Sequence, residues 1–268
     1  MSFKRHNQEN FKGTNMKIVS KIMICLVAAI ICMGATSCKK DTTIRYNNTT
    51  MGNVEGNTFI SDQGNIFNVV EQDKSCKGDL MTLKRAYIMC DILNKTEGGL
   101  DNEYDVRLNA MAQVTTKDIL SPGTEIEEEK LKEDPINIEY LWISGGYINM
   151  FVTFPAKADS KNAHMINLIQ KESEKGYTFR LTHNAYGEII ENGNIAEFVM
   201  AGGYASFPIS KLIQENEALI RIEWTWYKTI GSGISQETEL LGVEGTYRRD
   251  GFEHTPKELN AKTLAIIK

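Results

Sequence analysis

No surplus of positive charge runs through this chain: 30 Lys and Arg stand against 35 Asp and Glu. Nucleic acid, whose phosphates demand a basic patch, is thereby excluded as a partner. No apolar run reaches the roughly 20 residues that a transmembrane helix needs. Also missing are a Gly-x-Ser-x-Gly elbow, a P-loop, and any Cys-x-x-Cys or His-x-x-x-His spacing. Nothing therefore marks a catalytic nucleophile, a phosphate cradle, a metal centre or a cofactor site. The expectation is a non-enzyme with no catalytic, cofactor or metal residues.

The one marked apolar run is short and stands near the start, from Ile22 to Met33. Lys17 and Lys21 precede it, and Gly34-Ala35-Thr36-Ser37-Cys38 follows. Basic residues, an apolar dozen and then small residues form an export signal. With a cysteine directly behind the small residues it resembles a bacterial lipoprotein signal, in which that cysteine is lipidated and becomes the mature N-terminus. Residues 1–37 are read as the cleaved signal, with translation starting at Met16, and Cys38 as the lipidation site. The rest carries 25 basic and 34 acidic residues, a net charge of −9. Such a chain is not drawn to anionic lipid by charge, so acyl chains must hold it to the membrane.

Cysteines beyond Cys38 are two, Cys76 and Cys90. Outside the cytoplasm they could pair. Cys90 shares an apolar strand face with Ala86, Ile88 and Ile92, where a free thiol serves as a small hydrophobe. Free thiols are the favoured expectation.

Residues 38–52 are polar and read as a flexible, lipidated tether. From residue 53 the pattern has period two. Phe59-Ile60 and Ile66 to Val70 flank Asp62-Gln63-Gly64-Asn65, a hairpin signal. A strand over 83–93 follows. Then Tyr104, Val106, Leu108, Ala110 and Ala112 alternate with polar residues, as in an antiparallel sheet with one wet face. Four or five strands within 53–117 predict a small barrel or rolled sheet. Residues 118–135 hold Ser121-Pro122-Gly123 and a run of acids with Lys130 and Lys132, and read as a solvated linker with a short helix over 125–132.

Alternation resumes over 136–250. Ile148, Met150, Val152 and Phe154 share one face, with Tyr147, Asn149, Phe151 and Thr153 on the other. Ile220, Ile222, Trp224 and Trp226 share a buried face, which sends Tyr227 outward. Six or so strands predict an antiparallel β-sandwich. Residues 251–268 form a C-terminal tail.

A few constellations carry residue types suited to chemistry. His164 and His183 would need a third ligand to hold a metal, and hydrogen bonding at a strand edge is the better account. Asp101-Asn102-Glu103-Tyr104-Asp105 has oxygen donors, but too few acids for a calcium loop. Gly145-Gly146-Tyr147 and Gly202-Gly203-Tyr204 precede strands rather than helices, so they suit bends or bulges. Tyr147, Tyr186 and Tyr204 could stack on sugars, although capping of strand ends is the plainer reading.

The order of several motifs carries a resemblance. They are Thr58 to Asn65 with Val69-Val70-Glu71, Tyr140-Leu141-Trp142-Ile143-Ser144-Gly145-Gly146-Tyr147, His164 to Ile169, Arg180-Leu181-Thr182-His183-Asn184-Ala185, and Ala205-Ser206-Phe207-Pro208-Ile209-Ser210. Together they resemble the NigD-like lipoproteins of Gram-negative gut and mouth anaerobes. The resemblance implies a mainly β protein, an N-terminal OB-like barrel followed by a C-terminal β-sandwich behind a lipoprotein signal. It implies a cell-envelope protein, anchored by lipid to the outer rather than the inner membrane and facing either the periplasm or the exterior. It also implies a bacteriocin-associated accessory or immunity role, and brings no catalytic residues with it. The expected activity is non-catalytic binding of a protein or glycan partner. The alternatives are an envelope hydrolase acting on glycan or peptide, and a structural envelope component.

Overall fold

Alternating apolar residues build two cores. A computed structural model describes residues 47–121, 125–160, 162–191, 194–230, 233–249 and 265–266. The expected export signal, Cys38, the first part of the tether and most of the tail lie outside these residues. No helix among the described residues is long and apolar enough to cross a membrane.

The first core is a closed five-stranded barrel. Its strands are β1 (Asn47–Glu55), β2 (Thr58–Ser61), β3 (Ile66–Gln72), β4 (Arg85–Lys95) and β5 (Glu103–Thr116). They run in the order β3-β2-β1-β4-β5, and a parallel β3–β5 pairing closes the ring. This is the five-stranded OB arrangement. Phe59, Phe67, Ile88, Val106 and Leu108 fill it without exposure. Cys76 and Cys90 are free, buried thiols beside them. Burial, and then the charge of Asp91, push the Cys90 thiol up to about 11. Residues 47–52 are paired with β4 within β1.

The second core lies between two sheets. One holds β6 (Asn137–Ser144), β7 (Tyr147–Lys157) and β10 (Phe198–Pro208). The other holds β8 (Met165–Lys171), β9 (Tyr177–Asn184), β11 (Glu217–Ile230), β12 (Gly233–Arg248) and β13 (Ala265–Ile266). Ile148, Met150 and Phe207 from the first meet Leu168, Phe179 and Trp224 from the second. Most pairings are antiparallel. β9 and β11 pair in parallel because the chain between them passes through β10 in the opposite sheet.

The fourteen residues of β5 serve both cores. Residues Glu103 to Leu108 close the barrel against β3. Val114, Thr115 and Thr116 pair in parallel with Tyr204, Ala205 and Ser206 of β10. One eight-stranded sheet therefore continues from barrel into sandwich.

Between β5 and β6 the chain lies along the second sheet. Leu120 bonds the backbone of Leu168 and Gln170, and Lys132 and Asp134 bond that of His183. The helix expected over 125–132 is a single 3-10 turn, Glu128–Leu131, with no side-chain cap. A longer α-helix starting here would leave its first-turn N–H groups without a side-chain acceptor.

Tyr227 departs from the expected outward exposure. It does lie on the face opposite Trp224, but it is buried, and its hydroxyl accepts a bond from the Ile190 N–H at 2.9 Å. The loop after β9 covers it. Trp226 is half-buried against the sandwich core.

Candidate functional site

The Gly145-Gly146 pair forms the two-residue turn between β6 and β7, with φ of +58° and +80°. Positive φ at both positions is the geometry a tight hairpin needs, and glycine adopts it without strain. A Cβ on Gly145 would collide with the Asp62 carboxylate. The turn therefore lies directly on the β2–β3 hairpin of the barrel. Gly202 and Gly203, expected at a bulge or tight bend, instead sit in unbroken register with β7.

A buried polar network holds that contact. Arg85 on β4 is 1% exposed. Its Nη2 donates to Asp62 Oδ2 at 2.6 Å and to Asn149 Oδ1 at 2.9 Å. Its Nε donates to Ser206 Oγ at 2.9 Å and its Nη1 to Asn53 Oδ1 at 3.0 Å. The Tyr147 ring lies 4.1 Å from the guanidinium carbon, a cation–π contact. Ser144 donates its hydroxyl to the same Asp62 oxygen. A charge so deeply buried is tolerable only when paired and hydrogen-bonded, and here every guanidinium nitrogen donates. Several resemblance motifs thus meet at one place: Asp62, Ser144 to Tyr147, and Ser206.

The next cross-strand row on the same face is aromatic and open. Tyr140 pairs with Phe151, Phe151 with Tyr204, and Tyr204 with Val114, across β6, β7, β10 and β5. Tyr87 on β4 reaches over the small Ala112 and Val114 to stack on Tyr204, with centroids 4.7 Å apart. Phe151 and Tyr204 are 4.9 Å apart, and Tyr140 and Phe151 6.4 Å. A Cβ on Gly202 would crowd the Phe151 ring and strike the Val152 carbonyl, so glycine leaves the row its space. Burial, then the neighbouring Tyr87 and Tyr140, hold the Tyr204 hydroxyl above its ordinary value. Tyr140 is 63% exposed. Of the three tyrosines singled out in the sequence, only Tyr204 belongs to the row. Tyr147 lies under Arg85, and Tyr186 stands alone at φ +50°. Tyr87, Tyr140 and Phe151 were missed, because their convergence depends on strands far apart in sequence.

His164 and His183 do come together. His164 Nδ1 lies 3.0 Å from His183 Nε2, and His164 Nε2 lies 3.4 Å from Glu188 Oε2. His183 Nδ1 faces the carbonyls of Pro135 at 3.1 Å and Asp134 at 3.3 Å. Nδ1 of His183 must donate there, so its Nε2 accepts from His164. Phe154 stacks on His164. Burial, then the charge on His164, lower His183 to about 4. The Ser160 hydroxyl, then the Lys157 N–H, lower Glu188 to about 2, and His164 and Asn162 add to this. Each inward ring nitrogen already has a partner, which makes the trio a structural chain of bonds. No cluster of three or more metal-ligating side chains occurs among the described residues. In the 101–105 stretch, Asp105 accepts from Asn94 and Thr96, and Glu103 from Asn68 and Leu100. Asp101 pairs with Lys95.

Comparison with known proteins bears on the sandwich most directly. Residues 119–239 match the family described as NigD-like C-terminal beta sandwich domain. Among solved structures, a protein of unknown function from Bacteroides vulgatus is similar at 17% identity and a TM-score of 0.54, over 78% of this chain and 95% of that one. A NigD-like immunity protein from Bacteroides caccae is similar at 18% identity and a TM-score of 0.50, over 81% of this chain and 100% of that one. At these identities the likeness is one of fold. No curated protein matches the chain.

Proposed function

We propose that this chain, whose residues 119–239 match the NigD-like C-terminal beta sandwich domain, is a NigD-like, lipid-anchored binding protein of the bacterial envelope. Its role is accessory or immunity-like, and it holds a partner on the open sheet face. The observation that carries this reading is the aromatic row Tyr87, Tyr204, Phe151 and Tyr140. Four rings of this kind, half-buried to exposed, supply large contact area at low entropy cost, the composition of binding surfaces. The Arg85 network fixes the strands beneath them, which pre-organises the face.

The buried carboxylates support binding over hydrolysis. Among the described residues, Asp62, Asp91 and Glu188 are the buried acids. Asp62 is held by Arg85, Asp91 by Arg107 and Glu188 by Ser160, Lys157, Asn162 and His164. The anchor rests on Cys38 behind its apolar run.

The full chain, extracted in detergent, is used to capture partners from its own envelope extract. Tyr140→Ala/Tyr204→Ala should lose the partner while remaining folded. Capture of the same partners by the double variant would move the binding site off this face. Separately, Cys38→Ser should abolish incorporation of labelled palmitate, and normal labelling would remove the lipoprotein reading.

A further inference from the structure

At the open end of the aromatic row stands a carboxylate with no counter-charge among the described residues. β6 bulges between Ile138 and Tyr140, which pair with Val152 and Phe151, and Glu139 is the extra residue. Its Oε1 accepts from Thr153 Oγ1 at 2.9 Å and from Asn137 Nδ2 at 2.9 Å. Thr153 shares the face of Phe151, so Glu139 leans to the same side as the aromatic row. Both donors are neutral and both use one oxygen. Among the described residues no basic nitrogen forms an ion pair with Glu139. The carboxylate is thus oriented and leaves Oε2 to solvent. Beside it the Tyr140 ring is exposed.

The chain leading into β6 is acidic. Residues 125–140 hold seven acids against two lysines. Those lysines are already engaged, Lys130 with Glu127 and Lys132 with Glu128. Apart from Asp134 and Glu133, whose two oxygens Arg180 bonds, the acids of this stretch face solvent. A field of one sign raises the local concentration of the opposite charge. The bulge in β6 also blunts this edge against pairing with another strand, so a partner must approach over the face.

We propose that Glu139, Tyr140 and the row behind them dock a cationic segment of a partner polypeptide. A basic side chain lies over the Tyr140 ring with its charge on Glu139 Oε2. Arginine suits the place better than lysine, because its planar guanidinium stacks on an aromatic face while bonding a carboxylate. This deepens, and rests on, the reading of the face as a binding surface. A glycan would use the rings but would gain nothing from an unpaired carboxylate, so charge dependence separates the two.

The test titrates the detergent-extracted full chain with labelled hexa-arginine, hexa-lysine and a neutral hexasaccharide. Hexa-arginine should bind more tightly than hexa-lysine, and binding should weaken at about 0.5 M salt. Glu139→Gln and Tyr140→Ala should each weaken hexa-arginine binding about five-fold or more. Glu55→Gln, at an exposed carboxylate in the barrel's β1–β2 hairpin, should leave it unchanged. All three variants keep the fold, which thermal melts verify. Equal losses in Glu55→Gln would reduce the effect to net charge and overturn the proposal. Saccharide binding lost in Tyr140→Ala but kept in Glu139→Gln would overturn the cationic partner and leave the binding face standing. If no probe binds and envelope capture ignores Tyr140→Ala, both the partner and the face are refuted.

Discussion

His183 is neutral because its neighbours demand it. One ring nitrogen donates to two carbonyls and the other accepts from His164. Its value of about 4 lies below the ordinary histidine value near 6.5. Between these limits the unfolded chain binds more protons than the folded one. Stability contributed by His183 is therefore complete above about pH 6.5 and declines as pH falls toward 4, by up to about 3 kcal/mol. Glu188, held at about 2, adds a second loss at lower pH, from the ordinary carboxylate range downward. His183→Asn should flatten the decline between pH 4 and 6.5 in denaturant titrations. A slope unchanged by the substitution would place its source elsewhere. At the same scale, Trp224 is wholly buried, and Trp224→Ala should cost about 3–5 kcal/mol. A loss below about 1 kcal/mol would contradict its place in the core. Strand alternation placed Trp224 correctly from sequence. It failed for Tyr227 because alternation tells which side of a strand a residue occupies, and not what later covers that side.

Turns were the most legible elements, since glycine and asparagine announce them locally. The Ser61 to Asn65 hairpin and the Gly145-Gly146 turn both stand where the sequence pattern puts them. What each turn touches was not legible. Asp62 and Gly145 meet only because two domains fold against each other, and neither residue's immediate neighbours carry that information. The contact is testable by comparing two glycines. Gly145→Ala meets both an unfavourable positive φ and the Asp62 carboxylate, while Gly187, at φ +84°, faces open space. Gly187→Ala should cost about 1 kcal/mol from backbone strain alone. Gly145→Ala should cost distinctly more in the same urea titration. Equal costs would mean that Asp62 yields freely and that the turn is not pressed against the barrel.

Barrel and sandwich are joined by two devices of different kinds: the shared strand β5 and the Arg85 network. The alternation from Tyr104 to Ala112 showed a strand but could not show which strands flank it, so the continuous sheet was invisible in the sequence. The two devices differ in what they withstand. Three backbone pairings between β5 and β10 persist under most side-chain substitutions. The network depends on a single guanidinium, and removing it leaves Asp62 buried without its counter-charge, at a cost of about 3–5 kcal/mol. With the network intact, the free energy of unfolding one core includes breaking its contacts with the other. Calorimetry of the chain should then show one cooperative transition. In Arg85→Ala the coupling falls while both apolar cores remain, so the transition should broaden or divide into two. If Arg85→Ala instead melts at a lower temperature in one sharp step, β5 alone couples the cores. In that case the buried network sets the alignment of the aromatic row, and its loss would be read in partner capture rather than in the shape of the melt.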